Sequence, residues 1–260
     1  MAVLKDVKRI VVKVGTSTLT YNTGKTNIRR MHKLVSVLSD IANSGVEVAL
    51  VTSGAIGVGA GKLGLSEKPA DTPGRQAAAT IGQCELMFMY DKLFGEYGHT
   101  VGQLLITKSD VENDERRENL VNTFNRLFDF GAIPIINEND SVAVDEIVYG
   151  DNDSLSAIVA KLIRADALII LTDTDGLFDG NPRENEDAKL IPLVTEIDDK
   201  LMELAGGNGS NFGTGGMVTK LHAAEIAMEA GIDTIVMNGE DPTDIYKALD
   251  GKQIGTFFKA

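Results

Sequence analysis

Apolar and polar positions along the chain fall into two alternating rhythms. Short, nearly continuous apolar runs rich in Val and Ile occupy Arg9–Val14, Val46–Thr52, Thr100–Leu105, Ala132–Ile136, Ala167–Leu171 and Thr234–Met237. Runs of this kind, bounded by Gly, Asn, Asp or Ser, are what strands covered on both faces look like, as in a buried parallel sheet. Between them apolar residues recur at steps of three and four. Ile28, Met31, Leu34, Val35, Leu38 and Ile41 form one such stripe, which stops before Gly45 and predicts a helix over Ile28–Asn43. The same period predicts helices over Arg75–Tyr97, Arg116–Phe130, Ser154–Arg164, Asp198–Ala205, Thr219–Ala230 and Thr243–Leu249. Strand and helix alternate from end to end, so the pattern predicts a doubly wound α/β sandwich with right-handed crossovers. A short polar hairpin is expected from Val142 to Val148, before Gly150.

Composition narrows the class. With 260 residues, 43% of them hydrophobic and 24% charged, the chain can bury a substantial core without staples. It shows no internal repeat and no low-complexity linker, and it reads as one domain, 1–260, with two lobes around a cleft. The net charge of −13 argues against a nucleic-acid partner, which needs a basic footprint. An anion bound to so acidic a chain must be held locally, by Lys side chains, amide N–H groups or a metal. Cys84 is the only cysteine, which rules out an intrachain disulfide, and the apolar segment Ile81–Tyr90 around it places it in the core. His32, His99 and His222 are scattered without ligand spacing, so no residue is assigned to a metal. Charges interrupt the N-terminal MAVLKDVKRIVVKV, and no apolar stretch reaches the roughly 20 residues of a membrane span. The expected compartment is the cytoplasm, with no membrane partner.

Ligands of open α/β sheets bind beyond the C-terminal ends of the strands, and four turns there carry chemistry. In Val12-Lys13-Val14-Gly15-Thr16-Ser17 a Lys interrupts an apolar run, where a charge is costly without a partner; it either reaches a phosphate or sits on the solvent face of an edge strand. Thr52-Ser53-Gly54-Ala55-Ile56-Gly57 and the glycines after it enter a helix whose first amides could bind an anion, or else pack closely. Ile136-Asn137-Glu138-Asn139-Asp140 and Gly150-Asp151-Asn152-Asp153-Ser154 suit an ammonium, a lysine or Mg²⁺. Asn and Asp are also ordinary turn and cap residues, and for Asp153 or Ser154 taken alone the cap reading is favoured. Leu171-Thr172-Asp173 closes the fourth strand. The Gly-rich segment Gly206–Gly216 runs into Gly213-Thr214-Gly215-Gly216-Met217-Val218-Thr219-Lys220, a plausible phosphate cradle at a helix start. Known signatures fail: Gly24-Lys25-Thr26 lacks the first glycine of a P-loop, since residue 19 is Leu19, and no nucleophile elbow or protein-kinase set is present.

Together, in this order, these motifs resemble the amino-acid kinase family, and within it the branch that phosphorylates glutamate. The resemblance covers Val7 to Phe258. It implies a three-layer αβα sandwich with a mostly parallel central sheet, glutamate bound by the N-terminal part and ATP by the C-terminal part. The implied reaction is transfer from ATP, with Mg²⁺, to the side-chain carboxylate of L-glutamate, giving L-glutamyl 5-phosphate, the first step of proline biosynthesis. By motif match, Lys13 and Lys220 resemble the lysines that touch the transferring phosphoryl group, and Asp153 the acid that holds both. Ser53, Gly54, Asn137, Asp140 and Asn152 resemble glutamate-binding residues. Lys13, Thr172, Asp173, Thr214, Gly215, Gly216, Met217, Val218, Thr219 and Lys220 resemble nucleotide-binding ones. The resemblance further implies feedback inhibition by proline and a homo-oligomer, a dimer or tetramer. Many relatives continue into a small C-terminal domain of the PUA type; the sequence ends at Ala260, so that domain is expected to be absent.

Three rivals stand beside this reading. A sister kinase of the same fold would act on N-acetylglutamate, aspartate, carbamate or UMP, whereas the Asn137–Asp140 and Gly150–Asp153 pair argues for glutamate. A dinucleotide oxidoreductase would use Gly59-Ala60-Gly61-Lys62-Leu63-Gly64, but that match begins several residues past its strand. A nucleotide sensor without turnover has no evident reason to keep Lys13, Asp153 and Lys220 together.

Overall fold

The structure is a computed structural model and describes residues 4, 6–21, 25–143, 152–180, 182, 185, 187–206 and 216–260. In chain order the elements are β1 (Arg9–Val14), α1 (Thr16–Leu19), α2 (Ile28–Asn43), β2 (Glu47–Val51), α3 (Ala55–Lys62), α4 (Thr72–Gly95), β3 (Val101–Ile106), α5 (Lys108–Glu112) and α6 (Asp114–Asp129). They continue with β4 (Ile133–Glu138), α7 (Asn152–Ile163), β5 (Ala167–Thr172), β6 (Leu193–Val194), α8 (Asp199–Gly206), α9 (Met217–Glu229), β7 (Asp233–Asn238), α10 (Asp244–Leu249) and β8 (Thr256–Phe258).

One sheet runs in the order β3-β4-β2-β1-β5-β7-β8-β6. β1 lies at its centre, paired in parallel with β2 on one side and β5 on the other. β2–β4, β3–β4 and β5–β7 are parallel as well; only β8 turns against its neighbour β7, and β6 follows β8. Successive strand residues face opposite sides, so each strand feeds two cores. Ile10, Val12 and Val14 of β1 meet Leu50, Ile135 and Ile169 beneath α2, α4 and α10. Val11 meets Val51, Ile136 and Ile170 on the other side, beneath α6, α7, α8 and α9. The result is an αβα sandwich with a mostly parallel sheet, as expected.

Local chemistry explains most element boundaries. Asn27 caps α2 by accepting from Arg30 N at 3.1 Å, and Asn113 caps α6 by accepting from Arg116 N at 3.0 Å. α4 begins at Thr72 rather than Arg75 because the Asp71 side chain accepts from Gly74 N at 2.9 Å and Pro73 stands in the first turn. β6 and β8, two and three residues long, leave too short a pattern to read from sequence. The expected hairpin over Val142–Val148 reaches into 144–148, outside the described residues, as do 207–215 of the Gly-rich segment.

One expectation is corrected, and the rejection of one motif finds its physical reason. Cys84 is exposed, on the outer side of α4, because its neighbours Gln83 and Leu86 take the inward positions of that helix. The Gly59–Gly64 fingerprint is no phosphate loop. Gly59 and Gly61 lie inside α3, and Gly59 is there for close approach: a Cβ on it would stand 1.8 Å from Ala78 O of α4. Gly82 of α4 answers it, since its Cβ would stand 1.8 Å from Ala55 O. The two helices therefore touch backbone to backbone. Gly82→Ala has no flexible side chain to push aside and must separate them, an overpacking expected to cost about 1–3 kcal/mol. Urea unfolding followed by circular dichroism measures this; an unchanged midpoint would show that the helices part freely.

Candidate active site

Parallel pairing brings four strand ends to one edge. Lys13 is in register with Val51 of β2 and Ile170 of β5, and Val51 with Ile136 of β4. By the twofold alternation of β1, Lys13 points to the same side as Val11, the side covered by α7 and α9. β1 is no edge strand, so Lys13 cannot extend into open water alongside the sheet.

The partner it finds is Asp153, in the first turn of α7. Lys13 Nζ lies 2.5 Å from Asp153 Oδ1, and Lys220 Nζ of α9 lies 3.1 Å from Oδ2. The Asp153 side chain has no exposed surface, and the two lysines keep only 7% and 5% of theirs. Thr219 Oγ1 donates to Asp153 Oδ2 at 2.8 Å and to Gly216 O at 2.7 Å; Lys220 Nζ donates to Gly216 O at 3.3 Å. The N-terminal turn of α9 is thus folded around the carboxylate. Burial pushes the Asp153 carboxyl upward, but the two lysine charges and the bonds from Lys13 and Thr219 outweigh it and hold the group below the usual carboxylate range. Asp153 is an ion-pair centre rather than a helix cap.

Beside this triad runs a chain of neutral hydrogen bonds. The Asn152 amide donates to Thr52 O at 2.6 Å, Asn137 Oδ1 at 2.8 Å and Ser53 Oγ at 3.0 Å. Asn137 in turn donates to Gln83 Oε1 of α4 at 2.9 Å and accepts from Glu138 N at 2.9 Å. Gln83 accordingly fixes which way the Asn137 amide faces. Thr52 Oγ1 and the Tyr90 hydroxyl meet at 2.8 Å, in a setting dry enough that burial drives the Tyr90 phenol well above its usual range. Gly54 takes φ 96°, a left-handed turn natural only for glycine, and opens α3 without a side-chain cap.

These groups line one cavity of about 940 Å³. Its floor carries Lys13, Lys220, Asn137 and Asn152; one wall carries Ser53 to Gly57 at the start of α3, and another Leu171, Thr172 and Asp173. Asp140 lines it from the loop after β4. The expected residues Lys13, Lys220, Ser53, Gly54, Asn137, Asp140, Asn152, Thr172 and Asp173 thus share one space, with Asp153 directly beneath. Gly216 and Thr219 reach it through their bonds to Lys220 and Asp153, while the Met217 and Val218 side chains pack on the core. Thr214 and Gly215 lie outside the described residues. Sequence reasoning missed Gln83, Arg75, Gln76 and Lys68. The last three line the cavity from α4 and the segment before it; a positive charge at a helix start was the available signal. Among the described residues no three His, Cys, Asp or Glu side chains gather as a metal cage, and no helix is long and apolar enough to cross a membrane.

Comparison with known proteins identifies the family. The profile described as "Amino acid kinase family" matches residues 8–238. The chain is 56% identical to a glutamate 5-kinase of Clostridium perfringens (strain 13 / Type A), over 99% of this chain and 97% of the relative. It is 53% identical to a glutamate 5-kinase of Clostridium tetani (strain Massachusetts / E88), over 99% and 96%. Among solved structures, a UMP kinase from Bacillus anthracis superposes with TM-score 0.68 at 18% identity, covering 98% of this chain and 97% of that one. A carbamate kinase from Giardia lamblia bound to AMP-PNP gives 0.67 at 15%, covering 98% and 99%. These two likenesses speak for the fold alone.

Asp153→Asn removes the carboxylate charge that both buried ammonium groups share and is expected to cost about 3–5 kcal/mol at pH 7. The folded-state pKa of Asp153 is depressed, so its contribution is fully present above the ordinary 3.8 and is lost as pH falls through the lower folded-state value. The gap between the two proteins in urea unfolding should therefore be wide at pH 7 and narrow as the pH is lowered through the acid range below 3.8. Equal stability at pH 7 would remove Asp153 from its central place.

Proposed function

The chain belongs to the amino acid kinase family, and from that premise we propose that it transfers the γ-phosphoryl group of ATP to the side-chain carboxylate of L-glutamate. The products are L-glutamyl 5-phosphate and ADP, and the step opens proline biosynthesis. The observation that carries this reading is the triad: two lysines sharing one buried carboxylate, open to a cavity of polar groups. Both ammonium groups reach the cavity floor from the carboxylate that holds them, where they can meet an anionic group of a ligand.

Phosphoryl transfer asks a protein for in-line positioning and charge stabilisation more than for covalent chemistry. A glutamate side-chain oxygen attacks the γ-phosphorus, and the bond from that phosphorus to the oxygen it shares with the β-phosphate breaks, leaving its electrons on ADP. The acceptor is ionised at neutral pH, with a reference pKa near 4.3, so no general base is required. Lys13 and Lys220 neutralise charge on the migrating group from its protein side, held in place by Asp153. The first amides of α3, with Ser53 and Asn152, hold the reacting carboxylate. Thr172, Asp173 and the Gly216–Thr219 turn serve the nucleotide. Magnesium carried on the nucleotide phosphates needs at most one or two protein carboxylates. Asp173, on the cavity wall, would be the carboxylate within reach of such an ion, which would offset phosphate charge. The proposal includes cytoplasmic action, homo-oligomer assembly and inhibition by proline.

The direct test is ATP-dependent formation of γ-glutamyl hydroxamate from glutamate and hydroxylamine; its absence, with ATP still bound, would leave a nucleotide sensor. N-acetylglutamate, aspartate, carbamate and UMP as acceptors separate the sister activities in a coupled ADP-release assay. Lys13→Ala and Lys220→Ala should each lower kcat about 10²- to 10³-fold while moving the KM for glutamate little. Near-normal kcat in both variants defeats the roles given to the lysines.

A further inference from the structure

An α-amino acid presents its ammonium and its carboxylate on one tetrahedral carbon. Protein groups that recognise both must therefore stand side by side, with opposite charges, at one end of the site. The reacting end of the cavity is already defined: Ser53 bonds to Asn152, and Asn152 precedes Asp153 of the lysine triad. Away from it, Asp140 lines the cavity half-buried. Arg75, in the first turn of α4, lines the same cavity and is close enough for its charge to act on Asp140. The two stretches are tied together by Gln76, whose amide donates to Ala143 O at 3.4 Å. Among the described residues the side chains of Arg75 and Asp140 form no hydrogen bond or ion pair, although Arg75 N donates to Asp71 O in the first turn of α4. An acid and a base thus share a wall without closing on each other.

We propose that Arg75 binds the α-carboxylate of the substrate, beside Asp140, the glutamate-binding residue expected above whose carboxylate suits the α-ammonium, so that Arg75 completes the selection of a free α-amino acid. This rests on the glutamate reading above. The planar guanidinium fork matches a carboxylate with two parallel bonds, which an ammonium cannot do. Lys68, the other cation on the cavity wall, lies over Gly57 at the start of α3, toward the reacting end, and is not the neighbour of Asp140. Burial pushes the Asp140 carboxyl upward and the Arg75 charge draws it back only in part. A substrate ammonium would supply the missing counter-charge. N-acylation removes that ammonium, so an N-acylated glutamate loses one partner and leaves Asp140 facing an amide.

The hydroxamate assay, run with the full chain, distinguishes the alternatives. Arg75→Ala should raise the KM for glutamate about ten- to a hundred-fold, the loss of a charge-assisted hydrogen bond, with kcat at saturation and the KM for ATP little changed. Arg75→Lys should recover part of the loss. The preference for glutamate over 4-aminobutyrate, which lacks only the α-carboxylate, should collapse toward unity in Arg75→Ala. The preference for glutamate over glutarate, which lacks only the α-ammonium, should collapse in Asp140→Asn and persist in Arg75→Ala. A wild-type KM in Arg75→Ala, or an equal loss with glutamate and 4-aminobutyrate, overturns the role of Arg75 and leaves the kinase reading standing. No hydroxamate from glutamate with the wild-type chain overturns the kinase reading, and the role of Arg75 with it.

Discussion

A single carboxylate with no exposed surface holds two ammonium groups, and the arrangement of the cavity depends on it. Removing an ion from water costs several kcal/mol, which a partner at close range must offset. Asp153 does so for Lys13 and Lys220 together, aided by the Thr219 hydroxyl. Both lysines also line the cavity above, so the carboxylate that buries them fixes where their charges face a ligand.

The constraint reaches outward through the chain. Lys13, Asp153 and Lys220 come from β1, α7 and α9, and nothing local in the sequence joins them. Their meeting requires β1 to lie between β2 and β5 and α7 and α9 to cover the same side of the sheet. The second support runs through Asn152, Asn137 and Gln83 to α4 on the opposite side. Asn152 and Asp153 are adjacent in sequence, so α7 links the charged and the neutral networks in one turn. Close contact of α3 and α4 through Gly59 and Gly82 then fixes the wall that begins at Ser53. At the reacting end of the cavity Ser53, Asn152 and Asn137 are each held by hydrogen bonds to one another or to the backbone.

Much of this was legible in the chain. β1 and α2 fall where periodicity and the Gly45 stop put them, because a long stripe or a dense apolar run leaves one reading. The residues gathered in the cavity were also legible, as polar breaks at strand ends. What sequence left open was context. Lys13 read equally as a phosphate ligand or as a surface lysine, since strand order, which is set by long-range pairing, decides which it is. Asp153 taken alone read as a cap, because caps and ion-pair centres use the same residue at the same place, and only the resemblance gave it the two lysines. Cys84 was misplaced because an apolar window does not say which residues of a long helix face inward. Gln83 and Arg75 escaped notice because each is an ordinary residue on its helix. Their meaning lies in Asn137 and Asp140, 54 and 65 positions away.

The two ends of the cavity differ in a way that matters for specificity. At the reacting end the groups are buried and bonded to each other, and a change in one propagates into stability. At the far end Arg75 is exposed and stands on a helix start. A substitution there changes what is recognised without disturbing the lysine triad. Phosphoryl transfer asks the same of a protein whatever oxygen accepts the group, whereas selection depends on the part of the acceptor that does not react. Placing the two tasks on separate elements lets one fold keep the chemistry while the acceptor changes. In this chain, opposite charges on neighbouring stretches match the headgroup of an unmodified amino acid.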